Sequence, residues 1–186
     1  VKAEFSEANF DSLLASVDSK KTDSVANEIT TTAERKAKYD FTEPYAYSYG
    51  VVVTRKDDNS IKSFDDIKGK KDAGQNGSNW AKVAQDKGAT LVQVNDFSQA
   101  VETLTSGRAD VIVNDGLAVL DYLKQKPNAD IKIAVKSEKT PAAHFPLRKG
   151  SDDLTEAINK SIAKLRKDGT LKKISEKYFG EDISTK

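Results

Sequence analysis

The chain contains no cysteine, which removes disulfides, thiolate metal sites and thiol nucleophiles together. A single histidine, His144, stands among its 186 residues. With so few partners it argues against a histidine metal site or a Ser-His-Asp triad, and a packed or exposed structural role is expected for it. No apolar run approaches the length that spans a bilayer. The chain does not open on a signal peptide, which a mature chain would already have lost. Neither sign of charge prevails: 30 Lys and Arg face 29 Asp and Glu, a net charge of +1. No global field therefore favours nucleic acid or an anionic membrane. Internal repeats and low-complexity segments are missing too. The length suits one domain or two small ones with a sizeable core.

What is present is most informative between Asn27 and Tyr45. Three consecutive threonines, Thr30 to Thr32, lead into a short helical pattern with Arg35 three residues past the last of them. Hydroxyls and free N–H groups at a helix start, with an arginine in the first turn, can seat a carboxylate. The alternative is that Thr32 only caps the helix and Arg35 is solvated on its surface.

Along the rest of the chain short apolar runs alternate with helical patterns, the signature of an α/β protein. Strands are expected at Val1 to Phe5, Val25 to Asn27, Tyr49 to Thr54, Thr90 to Val94, Asp110 to Val113, Ile131 to Val135 and near Phe145 to Arg148. A further strand ends in Ala73-Gly74-Gln75-Asn76-Gly77. Phe10, Leu13, Leu14 and Val17 share one helix face; Ser63, Ser78, Asp96 and Ser151 open helices, and Gly169 ends one. Such repetition implies right-handed crossovers, a mainly parallel sheet, and ligands beyond the carboxyl ends of its strands. Asn27, Gly77 and Asp115 stand at such ends.

The ordered set of motifs resembles the polar amino-acid solute-binding proteins of ABC importers. It comprises Phe10-Asp11-Ser12-Leu13-Leu14, Thr30 through Arg35, Phe41-Thr42-Glu43-Pro44-Tyr45, Phe64 through Lys70, Gly77-Ser78-Asn79, Gly107-Arg108-Ala109-Asp110, Asp115, Arg148-Lys149-Gly150, Asp168-Gly169-Thr170 and Tyr178-Phe179-Gly180. The wording of Asn27-Glu28-Ile29 and of Phe179 to Asp182 looks nearest to the cystine-binding branch. The resemblance implies two α/β lobes, each a mainly parallel sheet flanked by helices, that close on the ligand about a two-crossing hinge. Lobe one would comprise residues 1–46 and 141–186, and lobe two residues 47–140. The crossings would lie near Tyr45-Ala46-Tyr47 and Lys139-Thr140-Pro141.

By the same resemblance, Arg35 would hold the ligand carboxylate with help from Thr32 and the helix start at Ser78-Asn79. Asp115 would take the α-ammonium, with Thr30 and the backbone near Glu28 adding acceptors. Phe10 matches an aromatic position against the ligand side chain, although its helical spacing fits a core residue equally well. Gln75, Asn76 and Trp80 lie near the rim of lobe two, and packing is the favoured role for Trp80. No metal and no organic cofactor is expected.

Two departures stand against the pattern. The strand, loop and helix with which the family normally begins are absent ahead of residue 1, so lobe one is expected to be incomplete, with a dimer as one way to cover its exposed edge. Asp72 puts a carboxylate where the family has an apolar strand residue; Ser24 and Asn76 are milder cases. Glu28 replaces a small or amide residue, and facing the cleft it would favour a basic or amine-bearing side chain; a solvated strand-end carboxylate is the other reading. The expected function is extracytoplasmic capture of a polar amino acid, cystine and basic ones included, and its delivery to ABC permease subunits by a periplasmic or lipid-anchored protein. The rivals are a ligand-incompetent fragment or engineered variant, and a dehydratase on the same fold with Glu28 as its acid.

Overall fold

The computed structural model describes residues 2–138 and 141–186. In chain order the elements are α1 (Phe10–Asp18), α2 (Ala33–Lys38), β1 (Tyr39–Phe41), β2 (Ala46–Tyr47), β3 (Gly50–Arg55), a 3-10 turn (Phe64–Ile67), β4 (Lys71–Gly74), α3 (Asn79–Asp86), β5 (Thr90–Gln93), α4 (Phe97–Thr105), β6 (Ile112–Asp115), α5 (Gly116–Gln125), β7 (Ile131–Lys136), β8 (Ala142–Ala143), β9 (Pro146–Arg148), α6 (Asp152–Lys167) and α7 (Thr170–Phe179). Among the described residues no helix is long and apolar enough to cross a membrane.

The middle of the chain folds as its pattern dictates. β4 and β5 pair in parallel, and a parallel bridge from Asp72 to Val111 carries the sheet on towards β6. β3 lies antiparallel between β6 and β7. Four of these five strands therefore run one way and β3 alone opposes them. The two faces of this sheet bury separate clusters. Val51, Val53, Leu104, Ile112 and Val119 pack on one side; Val52, Ile61, Ile67, Val111 and Val113 pack on the other. Two of the expected caps start their helices where the sequence places them. The Ser78 hydroxyl accepts from the Ala81 N–H at 3.0 Å, and the Asp96 carboxylate from the Gln99 N–H at 2.8 Å.

The outer parts of the chain depart from expectation. Among the described residues, Lys2 to Phe5 form no strand, and Phe5 is 89% exposed. Alternation over five residues does not make a strand without a neighbour to complete its hydrogen bonds. Val25 to Asn27 likewise pair with nothing as a strand; only isolated antiparallel bridges, Ser24 to Leu147 and Thr30 to Ala143, flank them. β1 pairs antiparallel with β9. The mainly parallel sheet expected of the outer region is thus replaced, among the described residues, by antiparallel pairs, because the C-terminal β8 and β9 are the partners within reach. Val17, Val25, Ile29 and Tyr39 close a small core beneath them.

Two strands join the outer and middle parts. β2 pairs antiparallel with β8, and the free edge of β2 is met by the tail: the Tyr47 N–H donates to the Ile183 carbonyl at 2.8 Å. Ala46, Leu117, Ala143 and Ile183 pack around this ribbon. Lys124 on α5 donates to the Lys177 and Tyr178 carbonyls at 2.7 and 3.3 Å, satisfying the last turn of α7 from across the junction. The expected crossing at Lys139-Thr140 falls outside the described residues, as does Val1.

Candidate functional site

Thr32 is extended and its hydroxyl accepts from the Arg35 N–H at 3.1 Å, so the capping role is real. The alternative fate for Arg35, a solvated side chain, is not what forms. Its side chain is buried, 8% exposed, and turns back under the helix. Nη1 donates to the Thr30 carbonyl at 3.0 Å, and Nη2 donates to the Gly77 carbonyl at 3.2 Å. One guanidinium thereby ties the threonine segment to the loop between β4 and α3, 42 residues on. Burial pulls its ionisation down from the ordinary arginine value.

Asp115 caps α5 from the end of β6. Its carboxylate accepts from the Leu117 N–H at 2.9 Å and from the Ser48 hydroxyl. Burial raises its pKa, and hydrogen bonding from Ser48, the Leu117 N–H and the Trp80 indole opposes that rise. Ser48 and Trp80 were not legible as partners of Asp115, since they lie 67 and 35 positions away in the chain. Trp80 is half-buried and packs on the face of Gly50, where an added Cβ would lie 2.3 Å from its ring. Gly50→Ala is therefore expected to lower stability by about 1–3 kcal/mol through overpacking and to move Trp80 off Asp115; urea denaturation monitored by tryptophan fluorescence checks both.

Glu28 is half-buried with φ +47°, a left-handed backbone that non-glycine residues seldom adopt. Its N–H donates to the Tyr45 hydroxyl at 2.9 Å. Burial, then the charges of Asp115 and Asp121, push its carboxyl up to about 8. Thr30 is buried beside it. Ser78 and Asn79 start α3 directly after Gly77, both half-buried.

Two further expected residues are held by neighbours of their own. Gln75 turns to the end of β5, donating to the Asn95 carbonyl at 3.0 Å. Phe10 packs against the Val17, Val25, Ile29 and Tyr39 core, in keeping with its helical spacing. His144 is structural: Nδ1 donates to the Thr42 carbonyl at 2.7 Å, and its ring lies edge-on to Phe41.

The site thus brings a buried arginine, a capped carboxylate and a half-buried glutamate to the junction of two packed units, with polar N–H groups at the start of α3. Comparison with known proteins gives the chain a family. The model of the bacterial extracellular solute-binding proteins, family 3, matches residues 1–181. A probable amino-acid ABC transporter-binding protein of Haemophilus influenzae is 46% identical over 99% of this chain and 72% of its own length. Among solved structures, an ancestral arginine-binding protein bound to arginine superimposes with a TM-score of 0.88 at 41% identity, over 97% of this chain and 81% of that one. The L-cystine solute receptor of Neisseria gonorrhoeae, in its unliganded open conformation, is also 41% identical, over 98% of this chain and 78% of that one, yet its TM-score is 0.63. The resemblance read from the motifs holds at the level of the family and of its α/β fold: the chain belongs to the bacterial extracellular solute-binding proteins, family 3, and is a binding protein rather than an enzyme.

Proposed function

We propose that this chain captures a polar amino acid in a cleft between residues 1–46 with 141–186 and residues 47–140, and presents the closed complex to the membrane subunits of an ABC importer. The observation that carries the reading is the Arg35 guanidinium, buried and bonded from the Thr30 carbonyl to the Gly77 carbonyl across that cleft. A cation held there against desolvation suits a ligand carboxylate, which completes the pair in a water-poor site. Asp115, fixed by Ser48 and the Leu117 N–H, suits the α-ammonium. Glu28, Thr30, Thr32, Ser78 and Asn79 complete the lining in this reading, with Phe10 and Gln75 at its margins.

Closure is supported by the two structural neighbours. At equal identity the chain as a whole superimposes far better on the arginine-bound relative than on the unliganded open one. A rotation about β2 and β8 accounts for such a difference, because two short strands resist bending far less than the packed units they join. The ligand class in this reading is supported by the relatives, one bound to arginine and one named a cystine receptor. The place of action is outside the cytoplasm, in a periplasm or at the cell surface behind a lipid anchor. A second copy of the chain is the candidate partner for the strand edge left by the outer region.

Calorimetric titration with L-arginine, L-cystine and L-glutamine tests the reading. Saturable binding to at least one of them is expected, weakened about tenfold or more in Asp115→Asn, where the charge on the ammonium's partner is gone. A folded chain that binds none of them would favour the ligand-incompetent reading.

A further inference from the structure

Three consecutive residues, Ser48, Tyr49 and Gly50, meet Asp115 and its neighbour. The Cα of Asp115 pairs with that of Gly50 across β3 and β6. Gly116 donates its N–H to the Tyr49 carbonyl at 2.8 Å, and a Cβ added to Gly116 would lie 2.3 Å from the Tyr49 ring. The third grip is the Ser48 hydroxyl, which is bonded to the Asp115 carboxylate. Register, backbone and side chain are thus all fixed from one short stretch.

The Ser48 hydroxyl and the Leu117 N–H both donate to Oδ1, so the second carboxylate oxygen is used by neither. These two donors belong to different parts of the fold. Leu117 lies in α5, the helix that Asp115 caps. Ser48 lies between β2 and β3, and its N–H donates to the Pro141 carbonyl at 3.0 Å. Pro141 immediately precedes β8, so Ser48 sits where both joining strands reach the middle sheet. Ser48 is 5% exposed and Asp115 7%, so water is a poor substitute for a bond lost between them. A carboxylate held by one donor can still swing about that bond. A second donor on the same oxygen removes the freedom and fixes where the other oxygen points.

We infer that Ser48 is a positioning residue for amino-acid binding: its hydroxyl aims the Asp115 carboxylate at the ligand α-ammonium and ties that aim to the joining strands. The inference rests on the amino-acid-binding reading above and deepens it. Ser48 acts through Asp115, so its effect is confined to ligands that carry the ammonium. A hydroxyl that only braced the junction would serve every ligand alike.

Calorimetric titration compares each amino acid with the acid that lacks its α-ammonium: L-arginine with δ-guanidinovalerate, L-glutamine with glutaramate, and L-cystine with dithiodipropionate. Ser48→Ala is expected to weaken the amino acid that binds the parent about tenfold more than it weakens the matched acid, the scale of a hydrogen bond to a charged group. Cooperative urea unfolding verifies the fold of the variant. Thr54→Val removes another buried hydroxyl of β3, one that donates to the Arg55 carbonyl at 3.1 Å, and should not change the ratio of the two affinities. Where the parent gives no heat with the acid, Asp115→Asn carries the comparison. Adding Ser48→Ala to it should cost less than about twofold more, since the charge to be aimed is already gone. Three results overturn the inference and leave the binding reading standing: amino-acid affinity unchanged in Ser48→Ala, equal losses for the amino acid and its acid, or a further tenfold loss in the Asp115→Asn background. No saturable heat from the folded parent with any of the three amino acids overturns both.

Discussion

Arg35→Ala is expected to weaken amino-acid binding about a hundredfold or more. Removing one partner of a desolvated, hydrogen-bonded charge pair costs about 2–5 kcal/mol in binding. Among the described residues, the Arg35 guanidinium is the side chain that bonds both the Thr30 and the Gly77 carbonyls. The variant should also lose about 1–3 kcal/mol of stability, because the truncated side chain leaves those carbonyls without their donor. Arg35→Lys separates the two effects. A point-charged ammonium on a flexible stem keeps the charge but cannot bond two carbonyls and a planar carboxylate at once. It should retain more affinity than alanine and still fall well below the parent. Calorimetry supplies the affinities, and small-angle scattering shows whether ligand still compacts the chain. An Arg35→Ala protein that binds as tightly as the parent would place the ligand carboxylate elsewhere.

Asp72→Asn is expected to stabilise the protein, against the usual direction for a buried substitution. Asp72 is fully buried in β4. One oxygen accepts from the Val113 N–H at 2.8 Å; the other has no partner among the described residues and lies where a Cβ on Gly74 would come within 2.8 Å. Burial pushes this carboxyl up to about 7. The unfolded chain would hold it near 3.9. Below about pH 4 both states are protonated and the group costs nothing electrostatic. Between there and about 7 the unfolded state gives up its proton while the native state keeps it, so stability falls as pH rises; above that the loss is complete, on the order of 4 kcal/mol. Asparagine keeps the acceptor for Val113 and removes the charge. Urea unfolding at pH 8 should show a gain of about 1–3 kcal/mol over the parent, shrinking to nothing or reversing near pH 4, where asparagine only exchanges one neutral group for another. A slope unchanged in the variant would locate the pH dependence in other carboxyls, Glu28 foremost.

Asp72 also marks what the sequence could and could not disclose. A carboxylate inside an apolar strand pattern reads as a misfit from the sequence alone, and the orphaned oxygen gives that misfit its physical content. The middle strands and helices were legible for a similar reason: each carries its own periodicity, cap or glycine stop within about ten residues. β1, β2 and β8 were not, because two or three residues hold no period. Their existence depends on partners about a hundred positions away, as with Ala46 opposite Ala143. The same limit applies to the candidate site. Thr32 as a cap could be read locally, and the burial of Arg35 could not, since its second bond goes to Gly77. Ser48 and Trp80 beside Asp115 left no local signal at all.

The antiparallel bridges that close the outer region have a bearing on how the chain is made. Ser24 must find Pro146, 122 residues further along, before its hydroxyl is bonded. A ribosome adding ~5–20 residues per second needs roughly 6–24 s to deliver that partner. The middle strands, whose clusters draw on contiguous chain, can assemble during that interval. The first forty or so residues meanwhile stay unpaired, so the nascent polypeptide remains half-open until its last third emerges. Delayed closure of this kind leaves the outer region the last part of the fold to tighten, after the middle sheet has already set.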